Sequence, residues 1–398
     1  MHKAPLRITL VDRHNYHLFQ PLLYQVATAA LNPSDIAGPI RSILRHQKNV
    51  NVILGVAESI DTAKKLVKLA DAELAYDYLI VATGATHSYF DHPEWEPDAP
   101  GLKTIDDALE IRRRVLLAFE AAERESDAEK QKAHLTFAIV GGGPTGVELA
   151  GALSEIARQT MIRDFRSFNP SSARVILIEG RDRVLPSYPP ELSDKANRQL
   201  VSLGVEVVTR AQVTNVTDRE VAIGDQRIPT RTVLWAAGVQ ASPLAKTLGV
   251  PLDRQGRVLV EADLSVPGHR EVFVVGDLAA VKQSDGSFVP GVAQGGIQGG
   301  EHAARNIARL IDEKATIAFR YRDKGSLATI GRAAAVADLG RIKLSGFVAW
   351  AFWLLIHIFF LIGFRNRLLV FTQWAWAYVT YQRGARLITE RENPVLLD

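Results

Sequence analysis

The feature that most narrows the fold is GGGPTG at Gly141–Gly146, which satisfies G-x-G-x-x-G at Gly141, Gly143 and Gly146. The pattern alone is weak. Here the apolar run Leu135–Val140 precedes it and a helical pattern opens at Val147. Strand, glycine loop and helix in that order bind a dinucleotide. Gly141 permits the tight turn, Gly143 lets backbone approach a pyrophosphate, and Gly146 lets helix and strand pack closely. The free N–H groups of the helix start then face the phosphates. The acid expected to hold a ribose is Glu179, after the next strand, Val175–Ile178. It comes later than the usual ~20 residues, so an insertion around Met161–Ser172 must loop out. A carboxylate there accepts from a 2′-hydroxyl and repels a 2′-phosphate, which favours NADH over NADPH, with Arg181 and Arg183 near enough to soften the preference.

The same grammar continues along the chain. Leu6–Val11, Val50–Leu54, Tyr78–Ala82, Val205–Val208, Thr232–Ala236 and Val272–Val275 are short and rich in β-branched residues, and helical patterns such as Asp106–Glu125 and Val147–Thr160 lie between them. That alternation predicts parallel sheets covered by helices. Thr104 is a good N-cap with Asp107 three residues on, and Asp91–Gly101, with three prolines and four acids, reads as a linker entering a second domain. Leu79–Gly84 (LIVATG), Val233–Gly238 (VLWAAG) and Val272–Asp277 (VFVVGD) form a weak internal repeat of strands that end in small residues. Gly84, Gly238 and Gly276 would let backbone come close to a ligand at the carboxyl edge of a sheet.

Leu6–Val11 ends in Asp12, a second strand-then-acid arrangement and so a second ribose acid. Its glycine loop should lie ~20 residues upstream, yet eleven residues precede it and none is glycine. Two expectations follow: the chain is a fragment of a longer product, or the first cofactor site has lost its phosphate loop. The chain has no cysteine, so thiol chemistry, cysteine-held metals and disulfides are excluded and redox work falls to an organic cofactor. A net charge of +3 from 47 basic and 44 acidic residues does not suggest a nucleic-acid partner. Leu6–Val11 is too short for a secretory signal, which places the bulk of the chain in the cytoplasm.

The tail differs. From Arg341 to Thr389 there are six Lys or Arg and no Asp or Glu, and four of the six tryptophans lie here: Trp350, Trp353, Trp374 and Trp376. Leu344–Phe364 carries no formal charge over 21 residues with His357 neutral, and Leu368–Val379 follows after Arg365 and Arg367. The run is long enough to cross a bilayer. A helix pair lying on the membrane surface is the second reading, and a buried hairpin or dimer interface the third.

At this point the sequence resembles the type II NADH:quinone oxidoreductases, the non-proton-pumping single-chain enzymes. The resemblance rests on HLFQPLLYQVATAAL at His17–Leu31, LIVATGA at Leu79–Ala85, VGGGPTGVELAG at Val140–Gly151, VFVVGDLA at Val272–Ala279, AQGGIQ at Ala293–Gln298 and DKGSLATIGR at Asp323–Arg332. It implies an α/β fold of two doubly wound Rossmann-like domains, the NADH domain inserted in the FAD domain, and a C-terminal helical membrane-anchoring segment. The expected FAD-binding domain combines Met1–Lys103 with Ala262–Arg322, the NADH-binding domain is Thr104–Glu261, and residues 323–398 form the membrane-association region. The resemblance puts Asp277 on the flavin's ribitol chain and Gly84 against the cofactor. Its AQ-x-x-x-Q motif falls on Ala293, Gln294 and Gln298, whose amides would meet a quinone carbonyl or the flavin ring. It sets Glu148 between nicotinamide and flavin, Lys324 near the quinone end, and the tail on the membrane as a monotopic anchor.

The expected function is FAD-dependent NADH:quinone oxidoreduction without proton pumping, at the cytoplasmic face of the cell's inner membrane. Expected partners are a membrane quinone and the bilayer surface, with a homodimer possible. The alternatives are a flavin reductase serving a soluble acceptor and a flavin-deficient, non-catalytic NADH-binding membrane protein.

Overall fold

The computed structural model describes residues 5–380 and 382–388. Met1–Ala4, Tyr381 and Thr389–Asp398, parts of the expected FAD-binding and membrane-association regions, lie outside the described residues. The chain forms two compact units. The first comprises 1–17, 38–87 and 239–324, and the second 18–37, 88–238 and 325–398. Grouped by their contacts, residues 239–261, expected in the NADH-binding domain, fall in the first unit, whereas 18–37 and 88–103, expected in the FAD-binding domain, fall in the second with 325–398. For 239–261 the reason is backbone pairing: Val239–Ala241 is antiparallel to Ala85–His87, and Val258–Leu259 is parallel to Ala279–Ala280.

The second unit is built on a four-stranded parallel sheet in the order 205–208, 174–178, 136–140, 232–235. All five residues of Thr136–Val140 are buried, as are all four of Thr232–Trp235. Such strands need apolar residues on both faces because helices cover both. One cover is the helix Ile105–Arg124, whose N-terminus is closed by a reciprocal cap: Asp107 N–H donates to Thr104 Oγ1 (3.1 Å) and Thr104 N–H to Asp107 Oδ2 (2.9 Å). The other is the helix Pro144–Glu155, which runs on into a single π-helical turn at Ile156–Thr160. Met161–Asn169 then has no regular structure, where the insertion was expected to loop out.

A second layer of this unit was not legible in the sequence. The antiparallel sheet of Ser326–Gly331, Ala334–Asp338 and Lys343–Ser345 packs directly on the glycine-loop helix. The approach is so close that a Cβ on Gly151 would stand 1.6 Å from the Ile330 carbonyl oxygen. Two helices follow, Phe347–Phe360 and Phe364–Thr380.

The apolar run expected to be long enough to cross a bilayer is broken in the structure. Its first residues form the strand Lys343–Ser345, and its helix has only 14 residues. At 1.5 Å per residue that is about 21 Å, short of a hydrocarbon core of about 30 Å. Among the described residues no helix is long and apolar enough to cross a membrane.

In the first unit, Ile8–Asp12 pairs in parallel with Val50–Leu54, and Leu79–Val81 pairs in parallel with His269–Val274. Its core gathers Ile60, Leu69, Val81, Leu248, Val272 and Val274. The helix Ala293–Ile311 covers Leu264, Phe273 and Val275 through Ala303 and Ile307.

Candidate functional site

In the second unit the glycine loop leaves the buried strand at Val140. Gly141 has φ +107°, and a Cβ there would meet the Ala236 carbonyl at 2.5 Å. At Gly146 a Cβ would fall 1.8 Å from the Gly141 carbonyl oxygen. Gly143 is the helix N-cap and has nothing within 4 Å of where its Cβ would be. Two glycines are therefore demanded by the protein's own backbone, and the third keeps open the space a pyrophosphate needs. Glu179 is buried at 9% exposure beside the loop. Its Oε2 accepts from Gly142 N–H (2.6 Å) and its Oε1 from Arg181 N–H (2.7 Å). The acid thus braces the loop at the sheet edge. Gly238 ends the Thr232–Trp235 strand, but the space its side chain would take is filled by Phe90, 2.8 Å away.

Glu148 sits one turn into the glycine-loop helix and lines a pocket of about 130 Å³ with Tyr24, Thr329, Trp350, Trp353 and Tyr378. Burial pushes its carboxyl up to about 8, against a hydrogen bond from the Thr329 backbone N–H that favours the charged form. Tyr24 is buried, and its phenol is held well above the usual range first by burial and then by the charge of Glu148.

Beside the pocket, Arg383 is wedged between the Thr28 carbonyl (2.9 Å) and Glu155 (3.0 Å). Glu155 also accepts from the Arg332 backbone N–H. The Arg332 guanidinium lies 4.0 Å over the Tyr378 ring. Sequence reading assigned no role to Tyr24, Gln25, Thr28, Glu155, Gly151 or Arg383. Tyr24, Gln25 and Thr28 lie in LLYQVATA and Gly151 in VELAG, whereas Glu155 and Arg383 lie in no motif.

In the first unit a cavity of about 220 Å³ is lined by Gly276, Asp277, Gly291, Gly295, Gly296 and Gly299 among others. Gly276 has φ +69°, and the Asp277 carboxylate lies so near Gly291 that a Cβ there would meet Oδ1 at 3.3 Å. Glycines on every side of a carboxylate, below the start of the Ala293–Ile311 helix, fit the polar chain and phosphates of a dinucleotide cofactor. Gly84, with φ +66°, makes the turn after the Leu79–Val81 strand, and its carbonyl accepts from Ser242 N–H. Asp12 ends its strand with Oδ1 accepting from His14 N–H (2.8 Å). Neither Asp12 nor Gly84 lines the cavity.

Ala293 is the first residue of its helix. Gln294 Oε1 accepts from the Lys324 backbone N–H (3.0 Å). The Gln298 carboxamide donates to the Arg322 carbonyl (2.9 Å) and accepts from its N–H (3.0 Å). The two glutamines lie one turn apart, as their spacing predicted, and grip the 322–324 segment. Lys324 meets Gln294 through its backbone N–H, with its side chain exposed.

The family model "Pyridine nucleotide-disulphide oxidoreductase" matches residues 1–305, and "NDH2 C-terminal domain" matches residues 324–380. The type II NADH:quinone oxidoreductase NdhA of Mycobacterium tuberculosis is 46% identical, over 98% of this chain and 86% of that protein. Its relative Ndh from the same organism is 44% identical, over 98% and 87%. Among solved structures, NDH2 from Plasmodium falciparum in complex with NADH superposes with a TM-score of 0.88 at 20% identity, over 96% of this chain and 95% of that one.

Proposed function

We infer the activity from a family assignment: this chain belongs to the type II NADH:quinone oxidoreductases. It is an FAD-dependent NADH:quinone oxidoreductase that does not pump protons. The observation that carries this reading is the match to the Mycobacterium tuberculosis enzymes along nearly the whole chain. FAD, when bound, would supply the two-electron redox chemistry between NADH and quinone, which the side chains of this cysteine-free chain cannot supply.

The chain's own residues bind and orient. Gly143 and the helix start behind it take the NADH pyrophosphate, and Glu179 takes a ribose while bracing the loop. Asp277 and Gly276 hold the polar chain of FAD, with Gly84 and Asp12 as lesser contributors at strand ends. Gln294 and Gln298 fix the 322–324 segment, so that Lys324 is placed by its backbone. Glu148, its carboxyl pushed up to about 8 by burial, is a group able to hold a proton in its pocket.

The tail attaches the protein to one face of a membrane, the cytoplasmic one, without crossing it. Phe347, Val348, Leu355, Phe359, Phe364 and Val379 are exposed on its two helices, which supports this reading. The cations contribute less than their number suggests. Lys343 pairs with Glu191, Arg383 with Glu155 and Arg386 with Asp164. Arg341, Arg365 and Arg367 remain exposed, each worth about 1 kcal/mol on anionic lipid. A homodimer through the same tail is compatible with those exposed side chains.

Steady-state NADH oxidation by the purified chain tests the activity. Turnover that requires an added short-tailed quinone is expected, with one proton taken from the medium per NADH and no proton transport into the lumen of sealed vesicles that carry the protein. Turnover with a dye or a protein acceptor but not with quinone would favour the soluble-acceptor reading.

A further inference from the structure

Residues 88–91 turn across the end of the Thr232–Trp235 strand and are tied to it. Ser88 N–H donates to the Gly238 carbonyl (3.1 Å), and the Trp235 indole N–H donates to the Ser88 carbonyl (2.8 Å). Tyr89 stacks on Trp235 with ring centres 5.1 Å apart, and its hydroxyl donates to the Ala99 carbonyl (2.8 Å). Phe90 behaves differently from its neighbour. Its ring leans on Trp235 at 6.2 Å and covers Gly238, yet the residue remains 58% exposed. Its backbone is left-handed, with φ +50°, and so is that of Asp91, with φ +70°. Such a backbone is rare for a bulky residue, and the strain persists only where the surroundings hold it. Glycine or asparagine would make the same turn with less strain. Packing alone therefore does not account for a phenylalanine at this turn, because most of the ring is left open to water.

The order of the sheet sets what lies over that ring. Three neighbouring parallel strands end on one edge: Glu179 follows 174–178, Gly141–Gly146 follows 136–140, and Ala236–Gly238 follows 232–235. The glycine loop and the third strand end touch, since a Cβ on Gly141 would stand 2.6 Å from the Ala237 Cα. A dinucleotide with its adenosine ribose at Glu179 and its pyrophosphate at Gly143 continues along the edge away from Glu179. Its nicotinamide half then reaches Ala236–Gly238, where Phe90 presents its ring.

We propose that Phe90 is a binding residue for the nicotinamide half of NADH, its ring seated on Trp235 and Gly238 and held out by a strained turn to pack against that half of the cofactor. The inference rests on the NADH reading given above and adds a contact that the adenosine half does not share. It also gives Gly238 a reason, because a Cβ there would stand 2.8 Å from the ring and displace it.

The test is calorimetric titration of the full chain in detergent with NADH and with ADP, which carries the adenosine and pyrophosphate alone. The protein is kept under dithionite without oxygen, so that binding is not followed by hydride transfer. Phe90→Ala should weaken NADH binding about fivefold and leave ADP binding unchanged. Phe90→Tyr, which keeps the ring, should bind NADH like the parent. Gly238→Ala should weaken NADH by the same factor as Phe90→Ala, and the double variant should be no weaker than either. Unchanged NADH affinity in Phe90→Ala, an equal loss for NADH and ADP, or a loss in Phe90→Tyr as large as in Phe90→Ala would overturn the role of Phe90 and leave the NADH reading standing. A parent chain that binds neither ligand would contradict the NADH reading itself, and the proposal with it.

Discussion

The two units use the same strand grammar and bury it differently. In the second, Thr136–Val140 is buried at every residue. In the first, no residue of Ile8–Asp12 is fully buried, and Leu54 at the end of the paired strand is 62% exposed. The second unit closes its glycine loop with its own backbone and with Glu179, so the NADH platform is finished by the chain alone. The first arranges Gly276, Asp277 and Gly291 around a cavity, and on the role proposed for those residues FAD bound there would add to its stability.

That contrast can be broken most sharply at the glycines. Gly146→Val puts side-chain atoms where a backbone oxygen already lies, and should cost about 4 kcal/mol or more, seen as loss of the cooperative thermal transition and of NADH binding. Gly84→Ala meets no atom and bears only a left-handed backbone, so about 1 kcal/mol is expected in the same melt. Equal losses from the two would contradict the difference between the units.

Removal of FAD should act on the first unit. Flavin at 100 times its Kd stabilises by about 2.7 kcal/mol. Hydrogen exchange of apo and flavin-loaded protein should therefore differ at Leu79–Val81 and His269–Val274, and hardly at Thr136–Val140.

Glu148 makes the second unit sensitive to pH. Its carboxyl is raised from 4.5 to about 8, so the folded state binds the proton more tightly than the unfolded one. Stability should fall as pH rises through that window, and should be flat above it and below it. Glu148→Gln should remove this fall, about 2 kcal/mol after allowance for contact with water in the pocket. Denaturant melts of both proteins at pH 5 and pH 8.5 measure it.

Smaller effects are expected at the tail. Trp376 is 63% exposed, whereas Trp353 is buried and the Trp374 indole is bonded to Gln25. Trp376→Ser should weaken vesicle sedimentation several-fold without changing the melt, and Trp353→Ser should lower the melt instead. The smallest change is predicted for His357, whose burial lowers it to about 4 and leaves it neutral at pH 7. Membrane binding between pH 6 and pH 8 should not depend on it.

Where the sequence was informative, the cause was local. The loop Gly141–Gly146, the cap at Thr104 and Asp107, and the strand-end acid Glu179 are each specified within a few residues of one another, and all stand where the pattern put them. The tail misled because hydropathy does not report pairing. Leu344 and Ser345 join a β-sheet, and three of the six cations meet acids distant in sequence. Glu155 and Arg383 are 228 positions apart, and Gln25 and Trp374 are 349 apart. No periodicity within one segment could place such pairs together. The glutamine pair was legible as a helical face, but not as the clamp on 322–324, because its partners are backbone groups.

Electrons pass from NADH through a flavin to quinone on this chain, and anaerobic visible spectroscopy of the purified protein is the decisive measurement. A flavin absorption that bleaches on addition of NADH and returns on addition of quinone is expected. A colourless protein that binds NADH, or a bleached flavin that quinone leaves unchanged, would contradict it.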